Sequence, residues 1–237
     1  MKKEEIETDR ILKAALVQKG LLDEQELALI NRQALKPLEA EQVFTFRLAA
    51  CDDQPDRDGE RFTAQTLEQL APLFVGKPVL RDHNWSAGAQ TARVYAAQVE
   101  QLTDRLALVL RCYMPRLPET AGVIAAIEAG ILRECSVGVA VRQAVCSICG
   151  ADQLQTGCPH FPGRQYEGQT CVMELEGGAD AYEVSLVAVP AQQQAGIVKS
   201  KRYGGKVQQD DWLRQGALRL EQARMCNLDT KNTMERR

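Results

Sequence analysis

Two apolar segments, Thr91-Ala-Arg-Val-Tyr-Ala-Ala-Gln-Val99 and Arg105-Leu-Ala-Leu-Val-Leu-Arg-Cys-Tyr-Met114, lie on either side of a short turn at Thr103-Asp104. Both segments are strand-like, and their close succession predicts an antiparallel pair. This pair sets the character of the chain, because most of the remaining ordered segments are also strand-like. We therefore begin with a β-dominated fold and place the other elements around it.

The other predicted elements alternate between strands and helices. Strands are predicted at residues 43–49, 134–145 and 181–189. Helices are predicted at residues 63–74 and 119–129, with Gly130 closing the second. Because strands dominate and few helices separate them, we predict an α+β fold with a bent antiparallel β-barrel core and flanking helices.

The chain divides into three predicted parts. Residues 1–40 form a helical N-terminal extension, in which Asp23 and Glu26 make a capping-box-like start for the second helix. Residues 41–199 form the main domain, and residues 146–171 are a small metal-binding insert within it. Residues 200–237 form a linker and a polar C-terminal tail, with a helix predicted at residues 210–226.

Composition limits the classes of function. The chain has 237 residues, 45% of them hydrophobic, and a formal net charge of −3, so it has no overall attraction to nucleic acid. Its first residues lack the apolar segment of a secretory signal, and no apolar run approaches the ~20 residues of a membrane span. We therefore expect no membrane partner and a reducing compartment, where clustered cysteines indicate metal rather than disulfides.

A cluster of cysteines predicts a metal site. Cys146-Ser-Ile-Cys149 is followed by Cys158-Pro-His160, and Cys171 is a fifth candidate for four tetrahedral positions. We predict that Cys146, Cys149, Cys158 and His160 bind a structural zinc ion, with Cys171 as the alternative ligand. The competing interpretations are a loop of incidental cysteines and a nucleic-acid-binding finger, although the insert lacks a basic stripe with interleaved aromatic residues.

The histidine outside the cysteine cluster is a candidate base. His83 lies in Arg81-Asp-His-Asn-Trp85, away from any cysteine, and a lone histidine can also be structural. Ser136, in Glu134-Cys-Ser-Val-Gly138, could be a nucleophile if an imidazole takes its proton. Glu183 could orient that imidazole. The bare residues leave other carboxylates open for this third role, namely Asp180 and Asp82.

Four short motifs, taken in order, resemble the prohead (capsid maturation) serine proteases of tailed bacteriophages, a family related to herpesvirus assemblin. The motifs are Pro55-Asp-Arg-Asp-Gly-Glu-Arg-Phe62, Asp82-His-Asn-Trp85, Cys135-Ser-Val-Gly138 and Glu183-Val-Ser-Leu-Val-Ala-Val-Pro-Ala191. The resemblance covers roughly residues 43–199. It implies a bent β-barrel core, with the catalytic histidine at His83, the nucleophile at Ser136 and the third residue at Glu183.

The resemblance also implies substrates and a location. The substrates would be scaffold and capsid proteins, and often the protease itself, inside an immature phage head in a bacterial host. The cysteine-rich insert departs from the general family pattern and resembles a variant subgroup. Arg93 is either a contributor to the oxyanion hole or a surface strand residue, and Trp85 is interpreted as a packing residue.

Two other functions remain open. The same fold could serve as a non-catalytic head-assembly or scaffold protein that docks through its zinc insert and terminal helices. For either function, association of the chain into a homo-oligomer also remains open. A zinc-dependent nucleic-acid-binding module is the other alternative, which the acidic balance of charge disfavours. A metalloprotease is disfavoured because the chain has no His-Glu-x-x-His motif.

Overall fold

The structure, a computed structural model, describes residues 22–192 and residue 195. Over these residues the chain forms a strand-rich α+β fold in which three α-helices surround a sheet that curls into a half barrel. The predicted fold class is confirmed. The predicted first helix of the N-terminal extension and the predicted helix at residues 210–226 lie outside the described residues, and the proposed domain boundaries stay a prediction.

Most elements coincide with the predicted segments to within a few residues. The helices are α1 (Glu24–Asn31), α2 (Ala64–Phe74) and α3 (Pro118–Glu128). The strands are β1 (Val43–Asp52), β2 (Glu60–Phe62), β3 (Pro78–Arg81), β4 (Ala92–Gln101), β5 (Leu106–Pro115), β6 (Cys135–Cys146), β7 (Gln165–Tyr166), β8 (Gln169–Thr170) and β9 (Met173–Leu186). Strands β7 and β8 form a separate small hairpin within the insert between β6 and β9.

The main sheet has the strand order β1-β5-β4-β3-β9-β2, and β6 also pairs with β9. Antiparallel ladders join β1 to β5, β5 to β4, β4 to β3 and β6 to β9. Strands β2 and β3 pair with β9 in parallel, a direction that the sequence analysis did not include. Parallel pairing requires a long connection, and here most of the domain lies between β3 and β9.

Helix α2 fills the gap between β2 and β3 along β9. Its first turn is capped by Thr63, whose hydroxyl accepts a hydrogen bond from the Thr66 amide. The backbone amides of Gly177 and Gly178 in β9 donate to the side chains of Thr66 (3.1 Å) and Gln69 (2.8 Å). Side chains of the helix therefore replace the ladder partner that β9 lacks between its contacts with β2 and β3.

The hydrophobic core lies between the curled sheet and helices α2 and α3. Large fully buried side chains come from several elements: Phe44, Phe46 and Leu48 of β1, Leu67, Leu70 and Phe74 of α2, and Leu108 and Leu110 of β5. Burying each such side chain contributes about 1.5–3 kcal/mol relative to exposure. The core thus fixes β9 and its neighbours as a rigid support for the polar residues described below.

Helix α1 packs against the outside of the sheet. Asp23 caps the helix by accepting a hydrogen bond of 2.7 Å from the Glu26 amide, as its position in the sequence predicts. Ile30 is fully buried in a small cluster with Val43, Tyr95 and Tyr113. Among the described residues, no helix combines the length and apolar character required to cross a membrane.

Candidate active site and metal centre

A tight turn at the end of β3 presents His83. The amide of Asn84 donates to the carbonyl of Arg81 (3.0 Å), which closes a four-residue turn. Its two central residues, Asp82 (φ 54°) and His83 (φ 52°), are both in the left-handed region. Non-glycine residues rarely adopt this conformation, and such strain is concentrated at functional sites. The Asp82 amide also donates to Leu186 of β9 (3.0 Å), so the turn is attached to the end of that strand.

His83 and Glu183 form a hydrogen-bonded pair. The Nδ1 atom of His83 lies 2.7 Å from Oε1 of Glu183, although 100 residues separate them in the chain. The Glu183 side chain is almost fully buried, whereas 41% of the His83 side chain is exposed. An ionised carboxylate only accepts hydrogen bonds, so the ring nitrogen facing it carries the proton. The neutral ring then has its basic lone pair on Nε2.

Ser136 lies on the neighbouring strand and on the same face of the sheet as Glu183. In the antiparallel ladder of β6 and β9, Ser136 is directly opposite Ser185, and Gly138 is opposite Glu183. Side chains directly opposite one another have Cβ atoms roughly 5 Å apart on the same face. Ser185 in turn accepts a hydrogen bond of 3.0 Å from the backbone amide of His83. Ser136, His83 and Glu183 are therefore grouped around Ser185.

Gly138 leaves room for the buried carboxylate. A Cβ atom at this position would lie 2.6 Å from Oε1 of Glu183, which is closer than real contacts allow. The absence of a side chain at Gly138 therefore makes room for the carboxylate that bonds His83. A larger residue at position 138 would displace it.

The neighbouring Cys135 is not positioned as a nucleophile. Its side chain points into the hydrophobic core, is fully buried, and lies 3.6 Å from the carbonyl oxygen of Ala49. Burial, followed by the charge of Glu134, raises the pKa of the Cys135 thiol to about 12. A thiol in this environment remains protonated and unreactive near neutral pH.

The weaker candidates occupy other positions. Asp180 forms an ion pair with Lys77 (3.4 Å), and Asp82 is an exposed residue of the turn. Arg93 is exposed, and its guanidinium donates to the Gly76 carbonyl (2.8 Å), as expected for a surface strand residue. Trp85 is 70% exposed and packs against Tyr182, with ring centroids 5.9 Å apart.

The predicted metal ligands converge at the far end of the β6–β9 hairpin. One donor atom from each of Cys146, Cys149, Cys158 and His160 lies within 4.8 Å of the others. The sulfur of Cys146 is 3.7 Å from Nδ1 of His160. Sulfur ligands about 2.3 Å from a tetrahedral zinc ion would be separated by about 3.8 Å, so the cluster is compatible with one bound ion. These four residues could therefore bind a metal.

Cys171 lies beside this cluster. Its sulfur is 3.8 Å from that of Cys146 and is fully buried. Burial raises the pKa of the Cys171 thiol to about 12. Burial also opposes ionisation of Cys146, but hydrogen bonds from the amides of Cys149 and Ile148 and from neighbouring thiols lower its pKa to about 6. The cluster thus contains one thiol that ionises readily, which favours cation binding.

The two sites lie at opposite ends of one hairpin. Ser136 is near the start of β6, and Cys146 is its last residue. Ten residues of strand span roughly 30 Å, so a metal at the cysteine cluster would be far from His83. The metal cluster is therefore suited to a structural role, whereas the polar residues at the other end are suited to acid–base chemistry.

Sequence reasoning did not assign a role to Ser185. This residue is fully buried, and its hydroxyl contacts both the Glu183 carboxylate and the His83 backbone. The available signal was its position two residues after Glu183, because alternate residues of a strand point to the same face. A serine within an apolar strand is otherwise unremarkable.

No protein-family model matches the chain, and no curated protein sequence does. Among solved structures, the capsid assembly protease of bacteriophage T4 is similar, with a TM-score of 0.35 and 12% identity. The similarity covers 62% of this chain and 83% of the T4 protein. A likeness of this degree does not assign the chain to a family or an activity.

Proposed function

We propose that this protein is a serine endopeptidase with Ser136 as nucleophile, His83 as general base and Glu183 as the residue that orients the imidazole. The observation that supports it most strongly is the bond between His83 Nδ1 and the buried carboxylate of Glu183. This bond fixes the tautomer in which Nε2 can accept a proton. Ser136 lies on the adjacent strand, on the same face of the sheet.

The proposed mechanism assigns one step to each residue. Nε2 of His83 takes the proton of the Ser136 hydroxyl as its oxygen attacks a peptide carbonyl. The buried carboxylate of Glu183 stabilises the imidazolium that forms. The imidazolium then protonates the leaving amine, and a water molecule, activated by the same imidazole, releases the acyl group from Ser136.

The proposed substrates follow from the sequence motifs that resemble those of prohead proteases. We propose that the protein processes scaffold and capsid proteins, and its own chain, inside an immature phage head in a bacterial host.

We further propose that Cys146, Cys149, Cys158 and His160 hold zinc, because three thiolates and an imidazole suit this ion and fill its tetrahedral shell. A filled shell leaves no position for a catalytic water, so this zinc would stabilise the insert.

A fluorophosphonate probe tests the nucleophile without knowledge of the substrate. We expect the probe to label wild type on Ser136, and Ser136→Ala to abolish labelling. His83→Ala should slow labelling by roughly 10³-fold or more, since the hydroxyl loses its base. Ser86→Ala, which removes an exposed hydroxyl from the loop after His83, should label like wild type.

Co-expression with a candidate capsid protein tests the substrate. Wild type should shorten the capsid protein, and Ser136→Ala should leave it intact, as judged by mass spectrometry. Unchanged labelling or processing by Ser136→Ala would show that the nucleophile lies elsewhere. A wild type that neither labels nor cleaves would favour the non-catalytic assembly role.

A further inference from the structure

Ser185 makes two hydrogen bonds that no catalytic role yet explains. Its hydroxyl donates to Oε2 of Glu183 (2.5 Å) and accepts from the backbone amide of His83 (3.0 Å). One fully buried hydroxyl thus contacts both members of the His83–Glu183 pair. Because Ser185 is fully buried, it is not positioned to contact a substrate itself.

The fold itself places Ser185 between these two residues. Glu183 and Ser185 are two positions apart in β9, so their side chains leave the same face of the strand. In the parallel ladder, Leu80 of β3 is the partner of Ser185, and the chain then turns at Asp82 and His83. This turn brings the backbone amide of His83 back over β9, where it donates a hydrogen bond to the Ser185 hydroxyl oxygen.

The two oxygens of the buried carboxylate have different partners. His83 bonds Oε1, and Ser185 bonds Oε2. Buried charges are tolerated only where hydrogen bonds replace water, so a missing donor at Oε2 would favour rotation or displacement of the carboxylate. The same loss would leave the His83 amide without this acceptor at a residue whose backbone is already strained.

We propose that Ser185 is a positioning residue that fixes the Glu183 carboxylate and the strained His83 turn in the geometry required for proton transfer. This inference rests on the proposed peptidase function for its kinetic consequence, but not for its structural one. Ser185 acts through Glu183 and His83, so its loss lowers kcat and leaves KM nearly unchanged.

Imidazole NMR tests the positioning directly. The chain has two histidines, so the ring signals of full-length, metal-loaded protein labelled with ¹⁵N-histidine are readily assigned with His83→Ala. In wild type, the Nδ1 proton of His83 should resonate downfield and exchange slowly, because it is bonded to a buried carboxylate. Ser185→Ala should move this signal upfield or broaden it, while the His160 signals stay in place.

Thr66→Val is the matched control. Thr66 is also fully buried, and its hydroxyl also accepts an amide hydrogen bond, from Gly177 of β9. Valine has nearly the same shape but lacks the hydroxyl. This variant should lower stability, yet the Nδ1 signal of His83 should remain as in wild type. A merely structural role for Ser185 predicts the same result for both variants.

Kinetics on a cleaved substrate provide the second readout. Ser185→Ala should lower kcat about 10- to 100-fold, the effect of losing one hydrogen bond to a charged group, with KM changed by less than about twofold. In a Glu183→Gln background the same substitution should lower kcat less than about threefold, because residues that act as a unit are not additive.

The outcomes separate this inference from the proposed function. An Nδ1 signal in Ser185→Ala identical to that of wild type would overturn the inference, as would equal losses of kcat in the wild-type and Glu183→Gln backgrounds. If wild type shows no peptidase activity but Ser185→Ala shifts the signal, the peptidase proposal fails and the positioning role is supported. If Ser185→Ala does not fold, Ser185→Cys, which keeps a weaker donor, should shift the signal partially, and an unshifted signal would overturn the inference.

Discussion

At the scale of single residues, the candidate site depends on small groups as much as on reactive ones. Two hydrogen bonds hold the Glu183 carboxylate, one from His83 to Oε1 and one from Ser185 to Oε2. The absence of a side chain at Gly138 leaves room for Oε1. A buried carboxylate with so little freedom can orient an imidazole without moving during the reaction. This preorganisation is what makes a charged group effective in catalysis.

Replacing Gly138 with alanine tests this arrangement. The added Cβ would lie 2.6 Å from Oε1 of Glu183, so the carboxylate must shift away from His83. We expect kcat to fall about 100-fold, since misplacement by about 1 Å can have an effect of this size. The His83 Nδ1 proton signal should move with it. The measurements are steady-state kinetics and imidazole NMR.

Gly122→Ala is the control for the glycine substitution. Gly122 lies within α3, and a Cβ built there has no heavy atom within 4 Å apart from its chain neighbours and the adjacent helix backbone. This variant should retain activity and gain about 0.5–1 kcal/mol of stability, because alanine favours the helix. Equal activity of the two variants would contradict the proposed role of Gly138.

At the scale of elements, the short strands and turns determine the site, and these are what the sequence predicted least well. Helices α2 and α3 and strands β1, β4, β5 and β6 were predicted because their apolar patterns and caps are local. Strands β2 and β3 are only three and four residues long, which is too short for an alternating pattern to be recognised. The first half of β9 was missed because Gly177 and Gly178 interrupt its pattern.

The residues of the candidate site could be proposed from the sequence, but the contacts between them could not. His83, Ser136 and Glu183 were proposed from residue type and motif order, but the parallel pairing of β3 with β9 that joins His83 to Glu183 is a contact between distant segments. No local pattern encodes such a contact. The role of Ser185 could be seen only after that pairing was known, because it depends on the register of Leu80 with Ser185.

The turn at Asp82 and His83 should be sensitive to a β-branched residue. Asp82 is exposed with φ 54°, and the left-handed conformation costs a β-branched residue roughly 1–2 kcal/mol. We therefore expect Asp82→Val to destabilise the protein by about this amount in urea denaturation. The control is Asp58→Val, at an exposed aspartate outside the left-handed region, which should change stability by less than about 0.5 kcal/mol. Equal effects would indicate that the turn is not strained.

At the scale of the whole molecule, the hydrophobic core and a metal bound by the cysteine–histidine cluster should make separate contributions to stability. The core contains Cys51, Cys112 and Cys135, all fully buried, and burial raises the pKa of each thiol above the ordinary value of 9.0. A metal bound by Cys146, Cys149, Cys158 and His160 would instead cross-link the insert between β6 and β9. The two contributions should therefore respond to different conditions, namely alkaline pH and metal removal.

Stability should fall as pH rises above about 9. In the unfolded chain the three core thiols ionise near the ordinary value, whereas in the folded chain they stay protonated, Cys135 up to about 12. The folded state then binds more protons, so each thiol lowers the free energy of unfolding by about 1.4 kcal/mol per pH unit above pH 9. The measurement is chemical denaturation between pH 8 and pH 10.5.

Comparison of two core variants isolates the contribution of one thiol. Cys112→Ala should reduce the alkaline slope by about 1.4 kcal/mol per pH unit, because one titrating group is absent. Val94→Ala removes a buried side chain opposite Cys112 in the same ladder, so it should lower stability at every pH and keep the wild-type slope. A wild-type slope in Cys112→Ala would contradict the predicted linkage.

Metal removal should affect the insert and not the chemistry at the other end of the hairpin. We expect elemental analysis to find one zinc per chain, lost in Cys149→Ser and His160→Ala but retained in Cys171→Ser. Chelation should lower the unfolding temperature, because binding stabilises only the folded state. At temperatures where the chelated protein remains folded, kcat should be unchanged, since roughly 30 Å of strand separates the sites. Immediate loss of activity in the folded, chelated protein would instead indicate a catalytic metal.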